Sequence, residues 1–253
     1  MTTSTIKIIA LVAMLIDHIG IFIPNTPEYF RWIGRIAAPI FIYCVAVGYR
    51  HTSNKKKYLL RLYIASVIMA LINLILKVVP GTEYTENYNF FAPLFIIGIL
   101  LYAIEKKKLT FFLLWQLIST ALIVFFTEFV VIYGLRDKYF FGAILGNSLC
   151  VEGGILFILL GLGFYFFQTK RHLSMYYLLF SGLIFLIAVK RGSMMAVHNR
   201  IIFNFVDFQW LMLLALPLFL LYNGKKGFGL KYFFYFFYPI HIILLYFIGK
   251  NMQ

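Results

Sequence analysis

The sequence predicts an all-α fold: a polytopic transmembrane helical bundle of about nine spans with its N-terminus in the cytoplasm. Three observations predict it. Hydrophobic residues make up 62% of the 253-residue chain and aromatic residues 20%, and the mean hydropathy is +0.89. Only 13% of the residues are charged, against about 25% in a soluble domain. The apolar residues fall into long runs separated by short basic or polar clusters. A soluble core cannot bury that much apolar surface, whereas a bilayer solvates the outer face of a bundle.

Breaks at charges, prolines, glycines and polar clusters divide the chain into spans 5–23, 34–50, 58–79, 90–104, 109–133, 151–168, 173–189, 209–222 and 231–249. The first run, Ile6 to Ile23, lacks a small-x-small cleavage site and is followed by many similar segments, so it reads as an uncleaved span. Several spans are shorter than the ~20 residues that cross a bilayer untilted; such lengths suit helices around a water-filled pocket.

The loops between spans alternate in charge. Arg50 to Lys57, Lys106-Lys107-Lys108, Lys170-Arg171-His172 and Lys225-Lys226 are basic, while Pro80 to Asn89 carries Glu83 and Glu86 and no Lys or Arg. The positive-inside rule puts the four basic loops in the cytoplasm, which leaves the C-terminus outside. Segment 190–208 departs from this pattern, because it would be external yet carries Lys190, Arg191 and Arg200. Segments 134–150 and 190–208 are long enough to fold back as re-entrant or interfacial elements. With no repeat and no soluble insertion, residues 1–253 read as a single integral membrane domain.

The net charge of +14 would suggest nucleic acid in a soluble protein. Here the cations sit in inter-span runs, so they mark topology and contact anionic headgroups, and nucleic acid is excluded as a partner. Cys44 and Cys150 have no metal-ligand spacing and read as small buried hydrophobes. The chain has no His-x-x-x-His pair, Walker loop, Gly-x-Ser-x-Gly elbow or dinucleotide fingerprint. No metal is expected, and nothing supports a metalloprotease, an ATPase or an elbow-type hydrolase.

Ionisable residues inside spans point to function, since each costs about 2.5–3.5 kcal/mol at a helix centre on insertion scales. Asp17 and His18 lie in the outer half of the first span. A carboxylate can orient an imidazole or raise its basicity, and such a His suits general-base work; alternatively the two simply bond neighbouring helices. Adjacent helical residues point about 100° apart, so Asp17 need not touch His18. Lys7 precedes His18 by eleven residues, which returns it to nearly the same helix face about 16 Å nearer the cytoplasm. It fits either a ligand lying along the helix or a snorkelling boundary lysine.

Arg35 opens the second span at the level of His18, as a carboxylate or phosphate partner or as a mate for Asp17. Glu128, Glu152, His198, Arg200 and His241 fall at or above mid-depth on the outer side, Glu128 and His241 within spans. Arg61 and the Lys55-Lys56-Lys57 run are cytoplasmic: topology determinants, or a phosphate patch.

The segment from Lys7 to Gly20, with Asp17-His18 inside it, resembles the opening signature of the TraX family. Gly34-Arg35-Ile36-Ala37-Ala38-Pro39-Ile40-Phe41 resembles its second signature, and Asn54 to Leu62 its third. Asn89-Phe90-Phe91 with Leu94 and Gly98 is similar to its fourth-span pattern. Tyr222 to Gly227 and Phe237-Tyr238-Pro239-Ile240-His241 resemble its C-terminal signature. In the middle, the Asp-Tyr-Gly that members carry before the sixth span is replaced by Leu149-Cys150-Val151, with Glu152 following.

The resemblance implies an acyl-CoA-dependent N-acetyltransferase of the bacterial inner membrane, similar to the acyltransferase-3 and heparan glucosaminide acetyltransferase groups. Acetyl-CoA is then the donor, with its phosphates near Lys7, Arg61 and Lys57. His18 is the base, oriented by Asp17; Arg35 holds the thioester oxygen or the acceptor; His241 completes the pocket wall. In the acyltransferase-3 group an Arg and a His eleven residues apart on the first helix are functional, and Lys7 and His18 keep that spacing. The acceptor is a peptide or lipoprotein amino terminus, a sugar or a small secreted metabolite. Two other readings stay open: a proton-coupled transporter or channel using Asp17, Glu128 and the histidines, and a non-catalytic assembly or immunity protein.

Overall fold

A backbone in hydrocarbon must satisfy its own N–H and C=O groups, and the helix does so within one segment. The computed structural model describes residues 1–78, 87–129, 136–194, 208–229 and 231–252. Regular structure among these residues is entirely helical. In chain order the elements are α1 (Thr3–Phe22), α2 (Tyr29–Gly34), α3 (Ala37–His51), α4 (Lys55–Val78), α5 (Phe91–Glu105), α6 (Leu109–Phe129), α7 (Lys138–Leu145), α8 (Gly154–Phe166) and α9 (Lys170–Met194). A 3-10 helix (Gln209–Ala215), α10 (Leu216–Leu220) and α11 (Lys231–Asn251) complete the chain.

Among the described residues, six helices are long and apolar enough to cross a membrane: Thr3–Phe22, Tyr29–His51, Lys55–Val78, Leu109–Glu128, Lys170–Lys190 and Tyr232–Asn251. Three shorter apolar helices, Phe91–Glu105, Gly154–Phe166 and Gln209–Leu220, stand where spans 90–104, 151–168 and 209–222 were expected. At about 1.5 Å per residue, α5 and α8 are ~22 Å and ~20 Å long, short of the ~30 Å hydrocarbon core. The second expected span begins earlier than residue 34, because α2 already runs from Tyr29. A turn at 35–36 separates it from α3. Pro39 sits in the first turn of α3, where a missing N–H has no intrahelical partner to lose.

Within segment 134–150, α7 is an eight-residue helix. The Asp137 carboxylate caps it, accepting from the amides of Tyr139 (2.8 Å) and Phe140 (3.3 Å), and Gly146 ends it in the left-handed region at φ +67°. Of segment 190–208, α9 takes the part up to Met194; residues 195–207, with His198 and Arg200, lie outside the described residues, as do Glu83 and Glu86.

The chain forms two compact units, one of Met1–Cys44 with Gly163–Gln253 and one of Val45–Leu162. In the first, α1 packs on α2 and α11, and α9 packs on the 3-10 helix. Two glycines let α1 come close to its neighbours. A Cβ on Gly34 would strike the Asp17 side chain, and one on Gly249 would strike the carbonyl oxygen of Phe22. Tyr43, Phe164, Tyr177 and Phe219 form an aromatic core with centroids 4.7–5.5 Å apart. The buried Tyr177 hydroxyl donates to the Met212 carbonyl at 2.5 Å.

In the second unit α4 packs on α5 and α7, and α6 packs on α7 and α5. Its core is of small and branched residues: Ala70, Ala92, Ile96, Leu100, Ala143, Val151 and Ile158. The outward side chains of α6, including Phe111, Leu114, Leu117, Ile118 and Phe125, are exposed. That face is what a helix against lipid presents.

Candidate active site

The first unit gathers four of the predicted residues into two adjoining pairs. Arg35 sits at the C-cap of α2 with its amide donating to the Trp32 carbonyl at 3.2 Å, so the α2–α3 turn fixes its backbone. Its Nη2 donates to Asp17 Oδ1 at 2.7 Å, its Nη1 to Gln209 Oε1 at 3.4 Å and its Nε to the Arg31 carbonyl at 3.0 Å. Arg31, one turn earlier, brings its Nε within 3.4 Å of the same Asp17 oxygen. The Arg35 side chain is 7% exposed and that of Asp17 14%. Charges so buried are held by each other, and removing one partner of a buried pair costs about 3–5 kcal/mol.

His18 and His241 form the second pair. The Nδ1 of His18 lies 2.6 Å from Nε2 of His241, and the two buried rings stack at 4.9 Å. His241 Nδ1 lies 2.8 Å from the carbonyl oxygen of Phe237, one turn back on α11. A carbonyl oxygen only accepts, so His241 Nδ1 carries a proton. With both rings neutral, His241 Nε2 is then an acceptor and His18 Nδ1 is the donor to it. His18 Nε2 is left as the lone-pair nitrogen, the form a general base requires. Phe237 stacks on His241 at 4.9 Å, and Tyr238 and Phe22 meet the His18 ring edge-on at 6.2 Å. The hydrogen bond fixing the His18 ring thus runs to His241, while Asp17 serves the two arginines.

Lys7 lies on the same side of α1, since its Nζ stands 5.5 Å from the centroid of Phe234 on α11. Both Lys7 and His18 therefore meet α11. Arg61 and Lys57 belong to the second unit, near the start of α4. Lys57 is exposed, with its amide bonded to the Asn54 side chain, and Arg61 is half-buried with an Nε that has no hydrogen-bond partner among the described residues. Glu128 is exposed near the end of α6. Glu152 accepts from the Asn89 amide at 3.1 Å, just before α5 begins.

The second unit bonds its other polar side chains to backbone atoms, to neighbouring hydroxyls and in two ion pairs. Asn147 donates to Ser119 and Thr120 hydroxyls at 2.8 Å each and accepts from the amides of Leu149 and Cys150. Gln116 accepts from the Ser148 amide and donates to the Gly146 carbonyl. Lys77 bonds Asp137 at 2.7 Å and Asn87 at 2.9 Å. At the other end of α4, Glu105 takes hydrogen bonds from Lys55 and from Tyr49 (2.8 Å), which hold its carboxyl below the usual range. No group of His, Cys, Asp or Glu among the described residues is placed to hold a metal.

Sequence reasoning missed Arg31 and Gln209. Arg31 had a signal, its spacing of four from Arg35. Gln209 had none, because its contact joins residues 174 apart.

The TraX protein family matches residues 2–136 and 139–249. The chain belongs to that family. It is also similar to the probable fimbrial assembly protein FimC, serogroup H1, of Dichelobacter nodosus, with 28% identity over 254 residues covering 95% of this chain and 92% of that protein. No solved structure gives a significant match. The TraX match includes both halves of the candidate site, α1 to α3 and α11.

Proposed function

We propose that the protein is an acetyltransferase embedded in the bacterial inner membrane with nine passes and a cytoplasmic N-terminus. It moves an acetyl group from cytosolic acetyl-CoA to an amine at the outer side. The observation that supports this most is the hydrogen-bond chain from the Phe237 carbonyl through His241 to His18, which leaves a lone pair on His18 Nε2.

In this reading His18 Nε2 takes a proton from the acceptor amine as its nitrogen attacks the thioester carbonyl. The carbonyl oxygen gains the negative charge, and the Arg35 guanidinium, held in place by Asp17 and Gln209, stabilises it. The C–S bond then breaks, the thiolate of CoA leaves, and the proton on His18 neutralises it. His241 strengthens the base by accepting the His18 Nδ1 proton in a hydrogen bond throughout. Lys7 supplies a cation on the donor side. The fimbrial assembly relative favours a peptide amino terminus from a surface appendage as acceptor, over a lipoprotein or a sugar.

Purified protein in lipid nanodiscs tests this with acetyl-CoA labelled in the acetyl group and a panel of peptide, lipoprotein and sugar acceptors. Label transferred to an acceptor amine is the expected result; CoA neither bound nor released would sink the reading. A proton-coupled transporter is the second reading, favoured by α5 and α8, whose lengths suit the discontinuous helices around transporter sites. Proton-driven uptake into liposomes without acetyl-CoA turnover would select it.

A further inference from the structure

The loop after α10 is fastened to the first turn of α1. Thr3 and Ser4 amides donate to the carbonyls of Lys225 (2.8 Å) and Lys226 (3.1 Å), and the Asn223 amide donates to the Met1 carbonyl (2.9 Å). The Ser4 hydroxyl adds bonds to Lys226 and Phe228 carbonyls, and the Thr3 hydroxyl bonds the Tyr222 phenol. Gly224 and Gly227 take φ values of +75° and +76°, and a Cβ on Gly227 would collide with the hydroxyls of Thr2 and Ser4. The loop's carbonyls therefore take up the α1 amides, and both lysines are exposed.

A topology signal needs positive charge only; it does not need the charges fixed to one helix. Here two cations sit on a fixed loop beside the positive end of the α1 dipole. Lys7 follows one turn along α1, on the face that meets α11. Among the described residues neither Lys225 nor Lys226 has an ion-pair partner, and residues 1–16 and 208–253 contain neither Asp nor Glu. From Thr3 to His18 the helix rises ~22 Å. Two exposed lysines on a loop bonded to the start of α1, with His18 near its far end, match a long donor with phosphates at one end and a reactive carbonyl at the other.

We infer that Lys225 and Lys226 dock the phosphates of a nucleotide-bearing acyl donor, with Lys7 as the next cation toward His18. This rests on the acetyltransferase reading, whose donor is acetyl-CoA, and it places the donor's nucleotide end at the loop after α10. The test is steady-state kinetics of the full-length protein with acetyl-CoA and with acetyl-pantetheine, which lacks the nucleotide.

Lys225→Gln with Lys226→Gln should raise KM for acetyl-CoA about tenfold or more, the loss of charge-assisted phosphate contacts. Its kcat, and its kinetics with acetyl-pantetheine, should match wild type, and the Lys→Arg pair should restore KM. An unchanged KM for acetyl-CoA, or an equal rise for both donors, overturns the inference. So does loss of activity accompanied by an inverted N-terminus in accessibility labelling, which would make the lysines topology determinants. If the wild type turns over neither donor, it is the acetyltransferase reading that fails.

Discussion

The two units bury polar groups to different ends. In the second unit, Asn147, Gln116 and Asn89 bond backbone atoms and hold the segments flanking α5, α7 and α8 in place. In the first unit, titratable side chains bond one another: Asp17 with two arginines, and His18 with His241. The second pattern brings titratable groups of α1, α2 and α11 together. A polar residue in a span is therefore read best by what it bonds. Lys77 with Asp137 is an architectural ion pair, since the same carboxylate caps α7, whereas Asp17 and His18 bond titratable side chains of other elements.

That contrast can be broken by substitution. His241→Leu should lower kcat of acetyl transfer by about 10²-fold, the lower end of the 10²–10⁴ usual for acid–base groups, while stability falls only by the about 1–3 kcal/mol that an unsatisfied buried His18 N–H costs. A loss of stability with kcat unchanged in the folded protein would put His241 with the architecture.

Asp17→Leu or Arg35→Leu alone should destabilise the protein by about 3–5 kcal/mol in detergent unfolding. The double variant should regain part of that, because no unpaired Asp17 or Arg35 charge remains. Additive losses would show that the pair is not coupled. Asn147→Ala should lower stability by about 1–3 kcal/mol, as expected for a buried network left unsatisfied. Its KM for acetyl-CoA should stay at the wild-type value, and a changed KM would erase the distinction between the units.

The smallest effect concerns Glu105. Its carboxyl is held low by hydrogen bonds from Lys55 and Tyr49. The contribution is thus complete above the unfolded value of about 4.3 and is lost as pH falls through the lower folded value. Glu105→Gln should flatten the acid side of a stability-against-pH curve and leave the neutral region alone. An unchanged acid limb would mean the cluster contributes nothing measurable.

The helices were legible because hydropathy reports lipid contact directly, and the breaks fell at charges. The facing of Lys7 and His18 toward one neighbour followed from 100° per residue. The level shared by Asp17 and Arg35 followed from counting inward from loop charges. The His18–His241 bond was not legible, since its partners are 223 residues apart and no periodicity connects first and last helices. Nor was the division of labour between Asp17 and His241, because sequence adjacency suggested that Asp17 would orient His18. The Asn147 network was hidden for the opposite reason: a run such as Asn147-Ser148 reads as a solvated loop until the side chains of α6 are seen beneath it.

The central claim is that His18, set by His241, is the base of acetyl transfer. The most direct measurement compares the wild type with His18→Ala in the same nanodisc preparation. It follows release of the CoA thiol and acetylation of the acceptor, with unfolding midpoints taken in parallel. The account predicts acceptor acetylation by the wild type and a loss of at least about 10²-fold in the variant at a temperature where its midpoint shows it folded. Acetylation at the wild-type rate by a folded His18→Ala protein would contradict it.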